Sequence, residues 1–298
     1  MNGAVLGANG LLSVRNLQNK ELLDFFQLLD QASPTTTKEV GKTPIGLLGF
    51  FEPSTRTRLS FESAGKHLGI HWICLATDDL SLKKGESLKD SFEVINSYEI
   101  DFYVLRHSEE LFAERVQAWT QKPVFNAGDG TNEHPTQALG DAYSLWKLDP
   151  KKKWTICFYG DFSKNRVAHS DAILFRQMGY EVALLENDSG GEDAWKNSLQ
   201  IPSISLDQMK DFDVVYVLRT QKERGGKTSL APLNAKQMGE NSYLMHAGPV
   251  IHGEDLSAEL GDFSRKKTLI MEQVQNCYRL RKQLLFHCLS QWKNGSRE

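Results

Sequence analysis

Five consecutive residues offer the first chemistry in this chain: Ser54, Thr55, Arg56, Thr57 and Arg58, inside the stretch FFEPSTRTRLSFES. Three hydroxyls beside two permanent cations suit an anion. The preceding PIGLLGF run has the continuous apolar character of a buried strand, and Phe61, Ala64 and Leu68 recur at the spacing of a helix face. The cluster therefore falls where a helix begins. There the first backbone N–H groups have no intrahelical partner and the macrodipole is positive, so a phosphate is favoured before either arginine is counted. The guanidinium groups add planar, bidentate donors. The bland alternative is a polar helix start whose arginines are solvated.

In an open parallel sheet, ligands sit beyond the carboxyl ends of the strands, which directs attention to polar residues just after apolar runs. These are Arg106 and His107 after DFYVL, the NAGDGTNEHPTQ loop after PVF, the GDFSKNR loop after WTICFY, and Arg219 with Gln221 after DVVYVL. One arginine at a strand end is ordinarily an ion-paired surface residue. Several converging on the edges of two sheets read as a ligand site. His134 and Gln137 share a helix face and set an imidazole and an amide beside the anion cluster. The segment DDLSLKKGESLKD carries Ser81 and Lys84 next to Gly85 without apolar periodicity, and by itself reads as a solvated loop. Other chemistries lack their signatures. The GDG at residues 128–130 is a turn signal rather than a dinucleotide motif, and no Walker A pattern occurs. His246 and His252 lack metal-ligand spacing with cysteine or carboxylate partners, so no metal and no cofactor are expected. No serine stands in a nucleophile-elbow context.

Positioning these residues calls for two sheets. PIGLLGF, HWICLA, DFYVLR and KPVFNA are strand candidates in the first half, and WTICFYG, YEVALLE, DVVYVLR and YLMHAG in the second, with helical patterns between them. That alternation predicts an α/β chain of two lobes, each a central parallel sheet flanked by helices. The charged DPKKK stretch marks the change of domain, giving residues 1–148 and 149–277. Leu11 to Ala32 has helix periodicity, and VQNCYRLRKQLLFHCLSQW near the end is helical as well. With 298 residues, 40% hydrophobic, 24% charged and a net charge of −3, the chain has the composition of an ordinary soluble, enzyme-like protein, with no basic field for nucleic acid. Four cysteines are scattered without paired spacing, which argues against a disulfide framework and for a reducing compartment. The start MNGAVLGANG lacks the regions of a secretory signal and no apolar run approaches a membrane span, so a cytoplasmic protein without a membrane partner is expected.

Taken together, the blocks FFEPSTRTRLSFE, SLKKGESLKD, VLRHSEE, NAGDGTNEHPTQALGD, GDFSKNRVAHS and LRTQKER resemble, in order and along nearly the whole chain, the signature segments of the aspartate carbamoyltransferases. The resemblance implies the aspartate/ornithine carbamoyltransferase fold, with a carbamoyl-phosphate lobe, an aspartate lobe and a C-terminal helix, residues 278–298, returning to the first lobe. It implies transfer of the carbamoyl group to the α-amino group of L-aspartate, as in de novo pyrimidine (UMP) biosynthesis. It also implies a homotrimer with shared active sites and admits regulatory chains or a dihydroorotase as further partners. Residue by residue, Ser54, Thr55, Arg56, Thr57 and Arg106 would hold the phosphate. Arg106, His134 and Thr57 would face the carbonyl oxygen, and Gln137 the carbamoyl amino group. Ser81 and Lys84 would come from an adjacent chain, Lys84 serving both substrates. Arg166 would pair with the α-carboxylate of aspartate and Arg219 with Gln221 would bind its side-chain carboxylate, beside the Ala247, Gly248 and Pro249 loop.

The chain departs from the family where relatives typically show His-Pro-x-Pro: here stand His246, Ala247, Gly248 and Pro249. The loss of a proline implies a less restrained loop, and the Gly248–Pro249 bond is expected to be cis. Ile251 and His252 replace a common arginine, and Cys277 sits at a position usually small. The ornithine carbamoyltransferases share the phosphate turn and the HPTQ block and are the close rival, but they present a cysteine in His-Cys-Leu-Pro. Ala247, Arg166 and Arg219 suit a dicarboxylate instead. A catalytically silent relative acting as a scaffold is the other alternative, against which the retained transfer residues argue.

Overall fold

Apolar runs without alternation become strands buried on both faces, the signature of parallel sheets covered by helices. The computed structural model describes residues 6–31, 43–76, 86–185, 194–219, 221, 230–260 and 267–290. The chain divides into two compact units, Met1–Thr136 with Cys277–Glu298, and Gln137–Asn276. Each is built on a five-stranded sheet in which every strand pair is parallel.

In the first unit the strands are β1 (Gly10–Leu11), β2 (Ile45–Phe50), β3 (His71–Leu75), β4 (Phe102–His107) and β5 (Val124–Asp129), in the order β1-β5-β4-β2-β3. Helices α1 (Asn19–Gln31), α2 (Thr55–His67), α3 (Leu88–Asn96) and α4 (Phe112–Thr120) follow in the connections. Phe61, Ala64 and Leu68 are fully buried, as the helix spacing requires. Leu47, Phe92, Tyr103, Phe112 and Val116 form the core between sheet and helices. Glycine is needed where the Trp72 indole lodges, because a Cβ on Gly65 would meet it at 2.3 Å and one on Gly46 at 2.5 Å. The first helix begins at Asn19, not at Leu11 as periodicity suggests. Gly10 and Leu11 are drawn instead into the sheet beside Val124 and Phe125.

The second unit carries β6 (Thr155–Tyr159), α6 (Arg166–Gln177), β7 (Glu181–Leu185), α7 (Ala194–Leu199), β8 (Ser203–Ile204), β9 (Val214–Val217) and β10 (Tyr243–Met245), with strand order β10-β9-β6-β7-β8. Cys157, Met209, Val215, Leu244 and Leu256 are among its core. The chain enters this unit within α5 (Pro135–Leu148) and leaves it within α8 (Ile270–Ser290). The residues of α8 that belong to the first unit are well tied there. Arg281 donates from Nε to Thr136 Oγ1 at 3.3 Å, its guanidinium lies 5.3 Å from the Phe61 ring centroid, and a His287 ring nitrogen is 2.8 Å from the Leu6 carbonyl. No helix among the described residues is long and apolar enough to cross a membrane.

Candidate active site

Strands β2, β4 and β5 are neighbours in the first sheet, so the segments leaving their carboxyl ends are brought together. Ser54 is the N-cap of α2 in extended conformation (φ −159°), and its side chain makes no capping hydrogen bond, leaving the hydroxyl to other partners. Thr55, Arg56 and Arg58 are exposed on the first turn, whereas Thr57 turns inward and is buried. Arg106, the penultimate residue of β4, stands next to Phe50 in register. Its Nε is 3.4 Å from the Glu52 carboxylate, with both side chains only 14% exposed, and its Nη1 is 3.4 Å from the Ala127 carbonyl. His134 precedes α5, whose first residue is Pro135, a position where proline's missing N–H costs nothing. The buried His134 ring brings Nε2 to 3.3 Å from Thr57 Oγ1. A hydroxyl, an imidazole and a guanidinium thus meet at one sheet edge, beside a helix start that attracts anions.

The loop that delivers His134 is braced by carboxylates that sequence reading passed over. Asp129 accepts from Asn126 Nδ2 at 2.8 Å, Asn132 Nδ2 at 2.9 Å, the Leu111 amide at 2.7 Å and the Glu133 amide at 3.2 Å. Glu133 in turn accepts from Ser13 Oγ at 2.6 Å and the Val14 amide at 2.8 Å, with Arg15 at 3.1 Å. Burial pushes the Glu133 carboxyl above its ordinary range, while the Ser13 and Val14 hydrogen bonds and the charge on Arg15 pull it back. The GDG sequence thus ends β5 and opens the turn at Gly130, organised around the buried carboxylate of Asp129.

In the second unit, β6, β9 and β10 are adjacent, and their carboxyl ends carry the remaining candidates. The chain leaves β6 through Gly160, at φ +132°, where a Cβ would fall 2.7 Å from the Leu218 carbonyl oxygen. Asn165 caps α6 by accepting from the Ala168 amide at 3.3 Å, and this places Arg166 as the first helical residue, 3% exposed. Asn165 Nδ2 also donates to the Arg219 carbonyl at 3.3 Å, as does Gln221 Nε2 at the same distance, so the segments bearing Arg166 and Arg219 are joined. Gln137 points its amide nitrogen at Asp141 Oδ1, 3.0 Å away.

The loop after β10 contains the cis Gly248–Pro249 bond. Hydrogen bonds, rather than a second proline at Ala247, brace it. The Gly248 amide donates to His246 Nδ1 at 2.7 Å, the Ile251 amide to Asp255 Oδ2 at 2.8 Å, and the His246 amide to Gln273 Oε1 at 2.9 Å. With Nδ1 accepting, the proton of His246 sits on Nε2, 3.4 Å from Asp255. His252 is exposed and Cys277 is buried. Ser81 and Lys84 lie outside the described residues.

The model of the aspartate/ornithine carbamoyltransferase carbamoyl-P binding domain matches residues 9–147, and that of the Asp/Orn binding domain matches residues 152–288. An aspartate carbamoyltransferase catalytic subunit from Thermobifida fusca is 34% identical over 300 residues, covering 93% of this chain and 94% of its own. One from Deinococcus radiodurans is 34% identical over 262 residues, covering 80% and 81%. Among solved structures, aspartate transcarbamoylase from Trypanosoma cruzi in complex with carbamoyl phosphate and aspartate superposes with a TM-score of 0.80 at 22% identity, over 95% of this chain and 98% of the other. Ornithine carbamoyltransferase from Pyrococcus furiosus does so with a TM-score of 0.78 at 23% identity, over 95% and 97%. The fold is common to enzymes with different acceptors, and the two family models together span nearly all of the sequence. The chain belongs to the aspartate/ornithine carbamoyltransferase family.

Proposed function

We propose that this chain transfers the carbamoyl group of carbamoyl phosphate to the α-amino group of L-aspartate, giving N-carbamoyl-L-aspartate and phosphate, the product entering pyrimidine synthesis. The observation that carries the chemistry is the 3.3 Å approach of Thr57 and His134 at the same sheet edge as Arg106. Carbamoyl phosphate is already an activated acyl donor, so no step calls on a metal or cofactor. Ser54, Thr55, Arg56 and Thr57 grip its phosphate with Arg106. Thr57, His134 and Arg106 donate to the carbonyl oxygen as negative charge gathers there. The neutral amine of aspartate attacks the carbonyl carbon, a C–N bond forms, and the C–O bond to phosphate breaks. The departing phosphate takes the proton shed by the amine. Aligning two substrates contributes roughly 7–11 kcal/mol when the geometry is good.

Aspartate rather than ornithine is the acceptor because its two carboxylates call for cations, and Arg166, first in α6, and Arg219, two residues past β9, supply them. Arg166 pairs with the α-carboxylate, and Arg219 with Gln221 takes the side-chain carboxylate, beside Ala247, Gly248 and Pro249. The catalytic-subunit names of relatives 34% identical to this chain support the same acceptor. Residues 1–148 with 278–298 serve carbamoyl phosphate and residues 149–277 serve aspartate. The chain works in the cytoplasm as a homotrimer whose sites are completed by Ser81 and Lys84 of a neighbouring copy. Regulatory chains or a dihydroorotase are compatible additions.

Phosphate release from carbamoyl phosphate, measured with a panel of amino acids, tests this reading. Release that depends on aspartate is expected. Release that depends on ornithine alone would overturn the choice of acceptor, and release with no amine in the panel would favour a scaffold.

A further inference from the structure

The second unit buries two carboxyl groups that the scheme above leaves unused. Asp141 and Asp171 are both fully buried. Asp141 accepts at Oδ1 from Gln137 Nε2 at 3.0 Å and from Gln273 Nε2 at 2.8 Å, and at Oδ2 from the Tyr216 hydroxyl at 2.7 Å. An ionised carboxylate accepts only, so whatever faces it must present N–H or O–H. This decides how both amides are turned. Gln137 spends its NH2 group on Asp141 and keeps its carbonyl oxygen for a donor elsewhere. Gln273 does the same, and its Oε1 accepts from the backbone amide of His246 at 2.9 Å, at the root of the 246–249 loop.

We infer that Asp141 is a positioning residue for the transfer reaction: it turns the Gln137 amide so that Oε1 receives the carbamoyl NH2 group, and through Gln273 it fixes the backbone of the aspartate-side loop. This rests on the proposed function. One carboxylate thereby orients a group for each substrate. Without it, Gln137 could rotate its amide and set N–H against the N–H of the carbamoyl group, a donor facing a donor.

Asp171 makes the arrangement electrostatically tolerable. Burial, and then the charge on Asp141, hold its carboxyl well above the ordinary carboxylate range. The Tyr216 hydroxyl lies within reach of Asp171 as well as Asp141. Neither Asp171 oxygen receives a hydrogen bond among the described residues, so no hydrogen bond there favours its charged form. The pair then carries one proton and one charge, as two buried carboxyls must, and the charge stays on Asp141 where three donors meet it.

A double-mutant cycle with Gln137→Ala and Asp141→Asn tests the inference, read as kcat/KM for carbamoyl phosphate at saturating aspartate. Asp141→Asn alone is expected to lower it about ten- to hundred-fold, the worth of hydrogen bonds to a charged group. In the Gln137→Ala background the same change should cost less than about twofold, because coupled residues do not add. Inhibition by inorganic phosphate, which the Ser54–Thr57 turn governs, should be the same in all four proteins. Should Asp141→Asn fail to fold, Gln273→Met serves instead, expected to raise the aspartate KM about tenfold and to leave the carbamoyl-phosphate KM unchanged. Additive losses, or a Gln273→Met enzyme with an ordinary aspartate KM, would overturn the inference while leaving the activity intact. A wild-type chain with no aspartate-dependent phosphate release would instead overturn the reading of function on which it rests.

Discussion

Thr57 Oγ1 lies 3.3 Å from Nε2 of His134, although 77 residues separate them in the chain. The pairing comes from parallel-sheet topology: α2 leaves β2, the His134 loop leaves β5, and β4 between them contributes Arg106. Both side chains are buried, so their hydrogen-bonding strength is not diluted by water. In the proposed transfer they would donate to an oxygen that gains charge only as the amine attacks. Thr57→Val removes the hydroxyl at nearly constant volume and should lower kcat about 10²-fold, the order found for loss of one oxyanion donor. Thr57→Ser should retain most of the rate. Steady-state kinetics on the two variants check this.

Arg106 is held by Glu52 at 3.4 Å, and that carboxylate offsets part of its charge. Glu52→Gln keeps a polar partner but removes the negative charge. Phosphate should then bind more tightly by about fivefold, on the order of 1 kcal/mol at the effective dielectric of a partly buried pair. Product-inhibition constants measured at constant ionic strength report the change, and weaker phosphate inhibition would contradict it.

Asp171 links the second unit's stability to pH. Its carboxyl is raised when folded, so the stability it contributes is full below the unfolded value of about 3.9 and is lost as pH climbs toward the raised folded value. Asp171→Asn cannot ionise and escapes this loss. Relative to the wild type it should gain stability between pH 5 and pH 7, by at most about 1.4 kcal/mol per pH unit. Urea denaturation at the two pH values measures it. A difference that does not change with pH would mean that Asp171 is ionised in the folded protein.

The proposed trimer, with sites shared between copies, makes a prediction about mixtures. Arg56→Ala and Lys84→Ala chains should each be inactive alone. In trimers mixed at random, about one quarter of sites draw an intact Arg56 and an intact Lys84 from adjacent copies, as a closed ring of head-to-tail contacts dictates. Co-expressing the two chains and assaying the purified mixture should recover that share of wild-type activity. No recovery would mean that each copy builds its site alone.

Sequence carried much of this architecture because a parallel strand covered on both faces reads as one unbroken apolar run. PIGLLGF, DFYVLR, WTICFYG and DVVYVLR are all strands at the places where they read as strands. The edge strands Gly10–Leu11 and Ser203–Ile204, two residues each, were invisible because two residues have no period. Gly10–Leu11 also shows why the helix after it starts late: pairing with β5 outweighed the local helical pattern. Strand ends bearing Arg106, Arg166 and Arg219 were legible as candidates, since charge after an apolar run is conspicuous. The carboxylates that brace the His134 loop and face the Gln137 amide were not. Asp129 closes β5 just before a turn and Asp141 lies in a helix, positions where an acid is ordinarily solvated, and only the fold turns them inward to collect donors.

The most direct test of the account follows a carbamoyl carbon. Purified protein is given ¹³C-carbamoyl phosphate with equimolar aspartate and ornithine, and the labelled product is identified by NMR and mass spectrometry, with Arg56→Ala as the control. Label on the α-nitrogen of aspartate, and none from the variant, is the expected result. Label on ornithine with aspartate untouched, or an Arg56→Ala chain as active as the wild type, would contradict it.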